Sequence, residues 1–233
     1  MNEEPASPTV NFADRLAVWE RRELPDQLAA QIRLAAELRS LMSELNMTTA
    51  PESVLDSLTE QVQAMRSDLA PHPRQPKVTF EMASQIPEDE LAPAGAETFA
   101  HFDHSAIMGA ANPISPPMKL STSENGVVGL VNFGDLYEGP PGHVHGGFVA
   151  AVLDEVLGAA QAATGSPGMT ARLEVQYRAP TPLYADLVAT GWVEKVDGRK
   201  ILARGEVRHG DVVTAEAEGL FITVDFSALV PRD

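Results

Sequence analysis

The sequence predicts an α+β domain, an antiparallel sheet packed on one buried helix, with an N-terminal helical extension. Three observations predict it. From Met118 to Val224 apolar and polar residues alternate between Gly, Asn and Asp turn signals, as in half-buried strands. That pattern is broken once, from Gly147 to about Ala163, by a proline-free run of helix formers. Ahead of it, apolar residues recur at three- and four-residue steps from Leu28 to Leu45 and from Val54 to Leu69. The organisation is therefore a helical extension over 1–75, a linker over 76–98, the main domain over 99–226 and a tail over 227–233.

Residues 1–13 show no period and read as a tail. From about Asp14 to Leu45 the chain is helical in character, with Leu28, Ile32, Ala35, Leu38, Leu41, Met42 and Leu45 forming a stripe. A second helix is expected from Pro51 to about Leu69, striped by Val54, Leu58, Val62, Met65 and Leu69. Two such helices cannot bury their stripes alone, so they must pair or dock on the main domain. Pro71, Pro73, Pro76, Pro87 and Pro93 mark the linker. The segment Phe102-Asp103-His104-Ser105 through Pro117, rich in proline and polar residues, reads as an ordered loop capping the sheet, with His104 a surface or bracing residue.

Met118–Ser121 and Val127–Phe133 are expected as strands around the turn Ser123-Glu124-Asn125-Gly126. After the helix, Ala171, Leu173, Val175 and Tyr177 face one way and Thr170, Arg172, Glu174 and Gln176 the other. Strands over 185–196, 200–208 and 212–224 complete a meander, turning at Asp197-Gly198 and His209-Gly210-Asp211.

The 233 residues carry 17 Lys and Arg against 33 Asp and Glu, a net charge of −16. Such a surface repels nucleic acid and anionic membranes. Residues 1–75 hold seven basic and twelve acidic residues, the wrong sign for a DNA-reading module. The absence of cysteine excludes disulfides and a cysteine nucleophile and suits a reducing compartment. The acidic start lacks a signal-peptide core, and no apolar run reaches the roughly 18 residues of a membrane helix, so a cytoplasmic protein is expected.

Chemistry concentrates at Gly139-Pro140-Pro141-Gly142-His143-Val144-His145-Gly146-Gly147, a rigid loop opening into the helix. On a helical wheel Val149, Val152, Leu153, Val156, Leu157 and Ala160 fall on one side. Gly147, Ala150, Ala151, Asp154 and Gly158 fall on the other, where a solvent face would carry Lys and Glu. Asp154 is thus expected in a lined groove. The first helical turn has unpaired N–H groups and partial positive charge, and at Gly146 and Gly147 no side chain blocks an approaching acceptor. Bare amides and a carboxylate two turns on suit acyl transfer to water. Glu155, about 100° round the wheel, reads as structural or interfacial. His143 and His145 with Asp154 are thin ground for a metal, and neither metal nor cofactor is expected.

His145-Gly146-Gly147 followed by Asp154, with the later segment Met169-Thr170-Ala171-Arg172-Leu173-Glu174-Val175-Gln176-Tyr177-Arg178-Ala179-Pro180-Thr181-Pro182-Leu183, resembles the PaaI-like branch of the hotdog-fold acyl-CoA thioesterases. The likeness covers roughly residues 100–226. It implies a curved antiparallel sheet wrapped round a central helix and hydrolysis of an acyl-CoA. It assigns carbonyl polarisation to the Gly146 N–H, helped by Gly147. Asp154 becomes either general base or nucleophile, Thr170 a hydroxyl that orients water or the carboxylate, and His145 a residue that shapes the loop or takes a direct part. Asn132 is a candidate substrate contact. Gly139 lacks any polar side chain that the family carries there. The loop before the first strand becomes a possible wall of the acyl or pantetheine channel. Among the basic residues of the sheet, Arg178 and the pair Arg199-Lys200 are the candidates for the CoA nucleotide. The resemblance further implies a homodimer or tetramer in which the acid of one subunit meets the glycine amides of its partner. A non-catalytic acyl-CoA-binding module and a hotdog dehydratase or hydratase remain the alternatives.

Overall fold

The computed structural model describes residues 22–72, 100–165 and 168–224. The linker over 76–98 and the tail over 227–233 lie outside the described residues.

Helix α1 spans Asp26–Met47, beginning directly after Pro25. Residues 22–25 are not helical, so the stretch expected to run unbroken from about Asp14 to Leu45 is interrupted there; its part over 14–21 lies outside the described residues. Proline inside a helix would break it, whereas its fixed φ suits the position just ahead of the first turn. α1 docks on the main domain by burying Leu28 and Ala35. Its Arg39 donates from Nε to the Ser115 carbonyl (2.7 Å) and from Nη2 to the Asn112 carbonyl (3.0 Å). Helix α2, Glu52–Leu69, buries no residue, and Val54, Leu58, Val62, Met65 and Leu69 are all exposed. Docking on this chain therefore holds for α1 alone; extended backbone at Thr48 and Pro51 breaks the helix between the two and redirects the chain.

The capping loop starts with a short helix, α3 (Ala100–Asp103), and continues as hydrogen-bonded turns. Asp103 is buried and paired with Arg22. The Ala111 N–H returns to the Asp103 carbonyl (3.0 Å) and Asn112 Nδ2 to the His104 carbonyl (3.1 Å). Arg39 thus ties the extension to a loop that is already closed on itself.

Six antiparallel strands follow: β1 Lys119–Ser123, β2 Gly126–Val131, β3 Gly168–Tyr177, β4 Leu187–Asp197, β5 Lys200–His209 and β6 Val212–Thr223. Their order is β1-β2-β4-β5-β6-β3. Among the described residues β3 pairs only with β6, which leaves its outer edge open. Helix α4, Gly146–Ala162, lies against the inner face of this sheet, with the six expected core residues all buried.

The sheet can curl round α4 because its inner face is built of small residues. Ala189, Gly191, Ala203, Gly205, Ala215, Ala217 and Gly219 occupy inward positions of β4, β5 and β6. Gly191 sits directly opposite Gly205, and Gly219 opposite Ala203. A Cβ at Gly191 would lie 2.5 Å from the Val156 carbonyl oxygen, and one at Gly219 or Gly205 would lie 3.2 Å from a Leu157 methyl. The backbone of α4 therefore rests on bare strand backbone, with Val156 and Leu157 fully buried in the shallow floor. On the outer face Arg172–Glu218, Arg204–Glu218 and Arg178–Glu216 pair across strands. Among the described residues no helix is long and apolar enough to cross a membrane.

Two outcomes follow from this packing. Gly191→Ala forces α4 off its floor and lowers unfolding free energy by about 1–3 kcal/mol, the usual cost of overpacking. Arg39→Met leaves two carbonyls without their donor and costs about 1–3 kcal/mol. Urea denaturation of each variant checks both; wild-type stability in either removes the corresponding contact from the account.

Candidate active site

The loop before α4 is a bracket closed by its own backbone. Pro140 to His143 form a type II turn: the His143 N–H donates to the Pro140 carbonyl (2.9 Å) and Gly142 has φ +74°. Proline presets the first central position of such a turn, and only glycine adopts the second without strain. Glu138 Oε1 accepts from the Gly142 N–H (2.6 Å), and the Gly139 N–H from the other side donates to the His143 carbonyl (2.9 Å). The bracket is anchored by Val144 N–H to the Thr181 carbonyl and His145 N–H to the Tyr137 carbonyl. Gly139 is bare for a steric reason: a Cβ there would meet His145 Cα at 2.7 Å.

The bracket delivers His145 as the N-cap of α4. Its Nδ1 accepts from the Gly147 N–H (3.0 Å), so in this arrangement that nitrogen is an unprotonated acceptor. The Gly147 amide, expected to assist Gly146, is thereby engaged within the chain. The Gly146 N–H meets no acceptor among the described residues. Sequence reasoning placed Tyr177 simply on a strand face. Its hydroxyl donates to the Gly146 carbonyl (2.8 Å), and its ring lies 3.2 Å from where a Gly146 Cβ would be. The end of β3 is thus stitched to the first residue of α4.

Asp154 is half-buried on the side of α4 that also carries Ala150, Ala151 and Gly158, and a Cβ at Gly158 would meet nothing within 4 Å. Asp154 Oδ1 accepts from the Thr170 hydroxyl (3.0 Å). Strict alternation put Thr170 on the outward face with Arg172. A bulge in β3 removes the conflict: Thr170 pairs with Phe221 and Arg172 with the adjacent Leu220, leaving Ala171 as the extra residue. The bulge re-aims Thr170 toward α4.

Glu155 is the second carboxyl of this region. Its acid is pushed up to about 7, first by burial, then by the Asp154 charge, with the Ser105 hydroxyl pulling the other way. Ser105 Oγ lies 3.5 Å from Glu155 Oε2. The signals in the sequence were the adjacency of two acids on a helix without exposed-face residues and a serine in the capping loop.

The remaining candidates are dispersed. Asn132 donates to Asp186 (3.1 Å). Arg178 is bound to Glu216 and Gln176, and Arg199 donates to the Thr223 carbonyl (3.0 and 3.2 Å). Lys200 is exposed beside it. Arg178 and the Arg199-Lys200 pair stand at opposite ends of β3, about 30 Å apart at strand rise. Asp154 lies eight residues beyond Gly146, so about 12 Å along the helix axis. His143 Nδ1 contacts the Pro141 carbonyl (2.9 Å). Among the described residues no three His, Asp or Glu side chains group to hold a metal ion.

The profile of the thioesterase superfamily matches residues 141–217. A crystal structure of a thioesterase superfamily protein is 32% identical and superposes with a TM-score of 0.72, covering 86% of this chain and 97% of its own. The acyl-coenzyme A thioesterase THEM4 of Xenopus laevis is 36% identical over 107 residues, which are 45% of this chain and 48% of the relative. That of Bos taurus is 36% identical over 107 residues, 45% of this chain and 44% of the relative. The chain spans about half the length of the curated relatives it matches.

Proposed function

We propose, from the premise that this chain belongs to the thioesterase superfamily, that it is an acyl-CoA thioesterase, releasing a carboxylic acid and CoA. One observation carries the reading: Asp154, held by Thr170, stands on an open small-residue face of the helix whose first N–H, at Gly146, has no acceptor among the described residues. The names of the THEM4 relatives support the acyl-CoA substrate class.

Thioester hydrolysis needs a polarised carbonyl and an activated oxygen nucleophile. The Gly146 N–H, at the positive end of α4, donates to the carbonyl oxygen and stabilises the negative charge it gains. Asp154 acts as general base toward water or attacks directly. Thr170 fixes one carboxylate oxygen and leaves the other for the reaction. His145 serves this chemistry by capping the helix, which speaks for the thioesterase over a hydratase that would use it as acid or base.

Both groups must come within hydrogen-bonding reach of one thioester, and about 12 Å of helix separates them in a single chain. The site is therefore shared between two copies. The open edge of β3 is the seam: an exposed strand edge is a pairing surface, and two-fold symmetry pairs it with itself. If the antiparallel pair is centred between Leu173 and Glu174, Tyr177 of one copy stands opposite Thr170 of the other. Tyr177 is bonded to Gly146 and Thr170 to Asp154, so that register brings the amide of one copy to the acid of the other. The same register carries Arg178 of one copy toward the Arg199-Lys200 end of its mate, which offers the CoA phosphates cations against an acidic protein.

Asp154→Asn should lower CoA release from acyl-CoA by at least about 10²-fold, the scale of a lost base, while CoA still binds in a titration. Full turnover in this variant would remove Asp154 from the mechanism.

A further inference from the structure

The acid next to the proposed base has no part in the mechanism so far, yet it is built into the structure with care. Glu155 follows Asp154 on α4 and turns under the capping loop, where Ser105 Oγ stands 3.5 Å from its Oε2. That hydroxyl is itself held: it accepts from the Ile107 N–H (3.2 Å) and the Met108 N–H (3.3 Å). With its lone pairs taken by two amides, its own proton is directed at Glu155. The loop that carries Ser105 is closed by the Gly109 N–H to the Ser105 carbonyl (3.1 Å) and leaves no room for a side chain at Gly109. Arg39 of α1 then clamps the far end of that loop at Asn112 and Ser115. Ser105 is therefore a fixed partner and not a chance neighbour.

We propose that Glu155 is a positioning residue for Asp154: a carboxyl held by Ser105 beneath the capping loop, whose gain of charge favours proton transfer to Asp154. The proposal rests on the thioesterase reading with Asp154 at the reaction centre. Asp154 is the charge that bears on Glu155 from its own helix. From the capping loop the facing group is the Ser105 hydroxyl; Asp103 in that loop is paired with Arg22 and His104 is exposed. α1 contributes Arg39, which is engaged by the two loop carbonyls. The inward residues of the strands behind α4 are chiefly apolar.

Burial and the Asp154 charge hold the Glu155 acid at about 7, so its proton leaves in the neutral pH range. Neutral Glu155 leaves Asp154 as the single charge. Ionised Glu155 sets a second negative charge beside it, which draws the proton of the attacking water toward the Asp154 carboxylate. The sign for stability is opposite. The folded acid is raised above its unfolded value, so its contribution is complete below about pH 4.5 and is lost as pH rises through about 7.

The test is the pH profile of kcat/KM for CoA release by wild type, Glu155→Gln and Ser105→Ala, with thermal unfolding followed over the same range. Wild-type kcat/KM should rise roughly threefold to tenfold between about pH 6 and about pH 8, the modest gain expected of a strengthened base. Glu155→Gln should lose that rise, and its Tm should gain on wild type as pH increases. Ser105→Ala should keep the rise and move it to higher pH, because the hydroxyl that favoured the charged form is gone. A wild-type enzyme that hydrolyses acyl-CoA with the same profile as Glu155→Gln overturns this proposal and leaves the thioesterase reading standing. A folded wild type that hydrolyses no acyl-CoA overturns the thioesterase reading, and the role of Glu155 falls with it.

Discussion

The contact on which the structure depends is the seating of α4 on a glycine and alanine floor. A helix packed on a sheet of ordinary side chains stands off by their length. Here the Val156 carbonyl lies where a Gly191 side chain would be, and Leu157 fills the space left open at Gly205 and Gly219. Close approach lets the sheet curve round the helix, and it fixes the helix in rotation as well as in depth. Turned by one residue, α4 would present Asp154 to the core or to open solvent. Seated as it is, it holds Asp154 over the β3 bulge, within 3.0 Å of Thr170. In the proposed mechanism the floor is thus a constraint on the position of the acid, expressed in packing.

The same seating explains why one face of α4 is made of small residues without being buried. Gly147, Ala150, Ala151 and Gly158 flank Asp154 on the side that the chain leaves open. Small residues there leave the acid uncrowded on its own helix, while the edge of β3 that is unpaired among the described residues runs alongside. The two features belong to one arrangement in the proposed site, a seam at which a second copy supplies what the first has at its other end. His145 and Tyr177 hold the two ends of that arrangement in register, one by capping α4 and the other by joining β3 to Gly146.

Much of this was legible in the sequence, and the rest failed for identifiable reasons. Strand alternation and the helical run marked every sheet element within a few residues, because half-buried strands and a one-sided helix leave periodic traces. The continuous helical stretch expected from about Asp14 is interrupted over residues 22–25, because Pro25 is accommodated just ahead of the first turn of α1 and not inside a helix. Pairing or docking of α2 was expected from amphipathicity alone, which says that an apolar face exists and not what covers it. The orientation of Thr170 could not be read, since a bulge at Ala171 shifts the period by one without changing composition. Gly147 looked like a second free donor until the His145 ring was found on its N–H. Glu155 was set aside because its environment comes from a loop 50 residues earlier in the chain. Pattern locates elements; contacts between distant segments decide which side chains meet.

In the proposed mechanism one working site takes Asp154 from one copy and the Gly146 N–H from another. Its most direct measurement mixes two inactive subunits. Asp154→Asn removes the acid, and Gly146→Pro removes the amide at a helix position where proline is tolerated. Refolded together from equal amounts, they form mixed dimers in which one of the two sites has both groups intact. The account predicts recovery of roughly a quarter of wild-type turnover, the random-assortment value for a two-fold dimer. No recovery from a mixture shown to contain mixed dimers would contradict it and place both groups in the same chain.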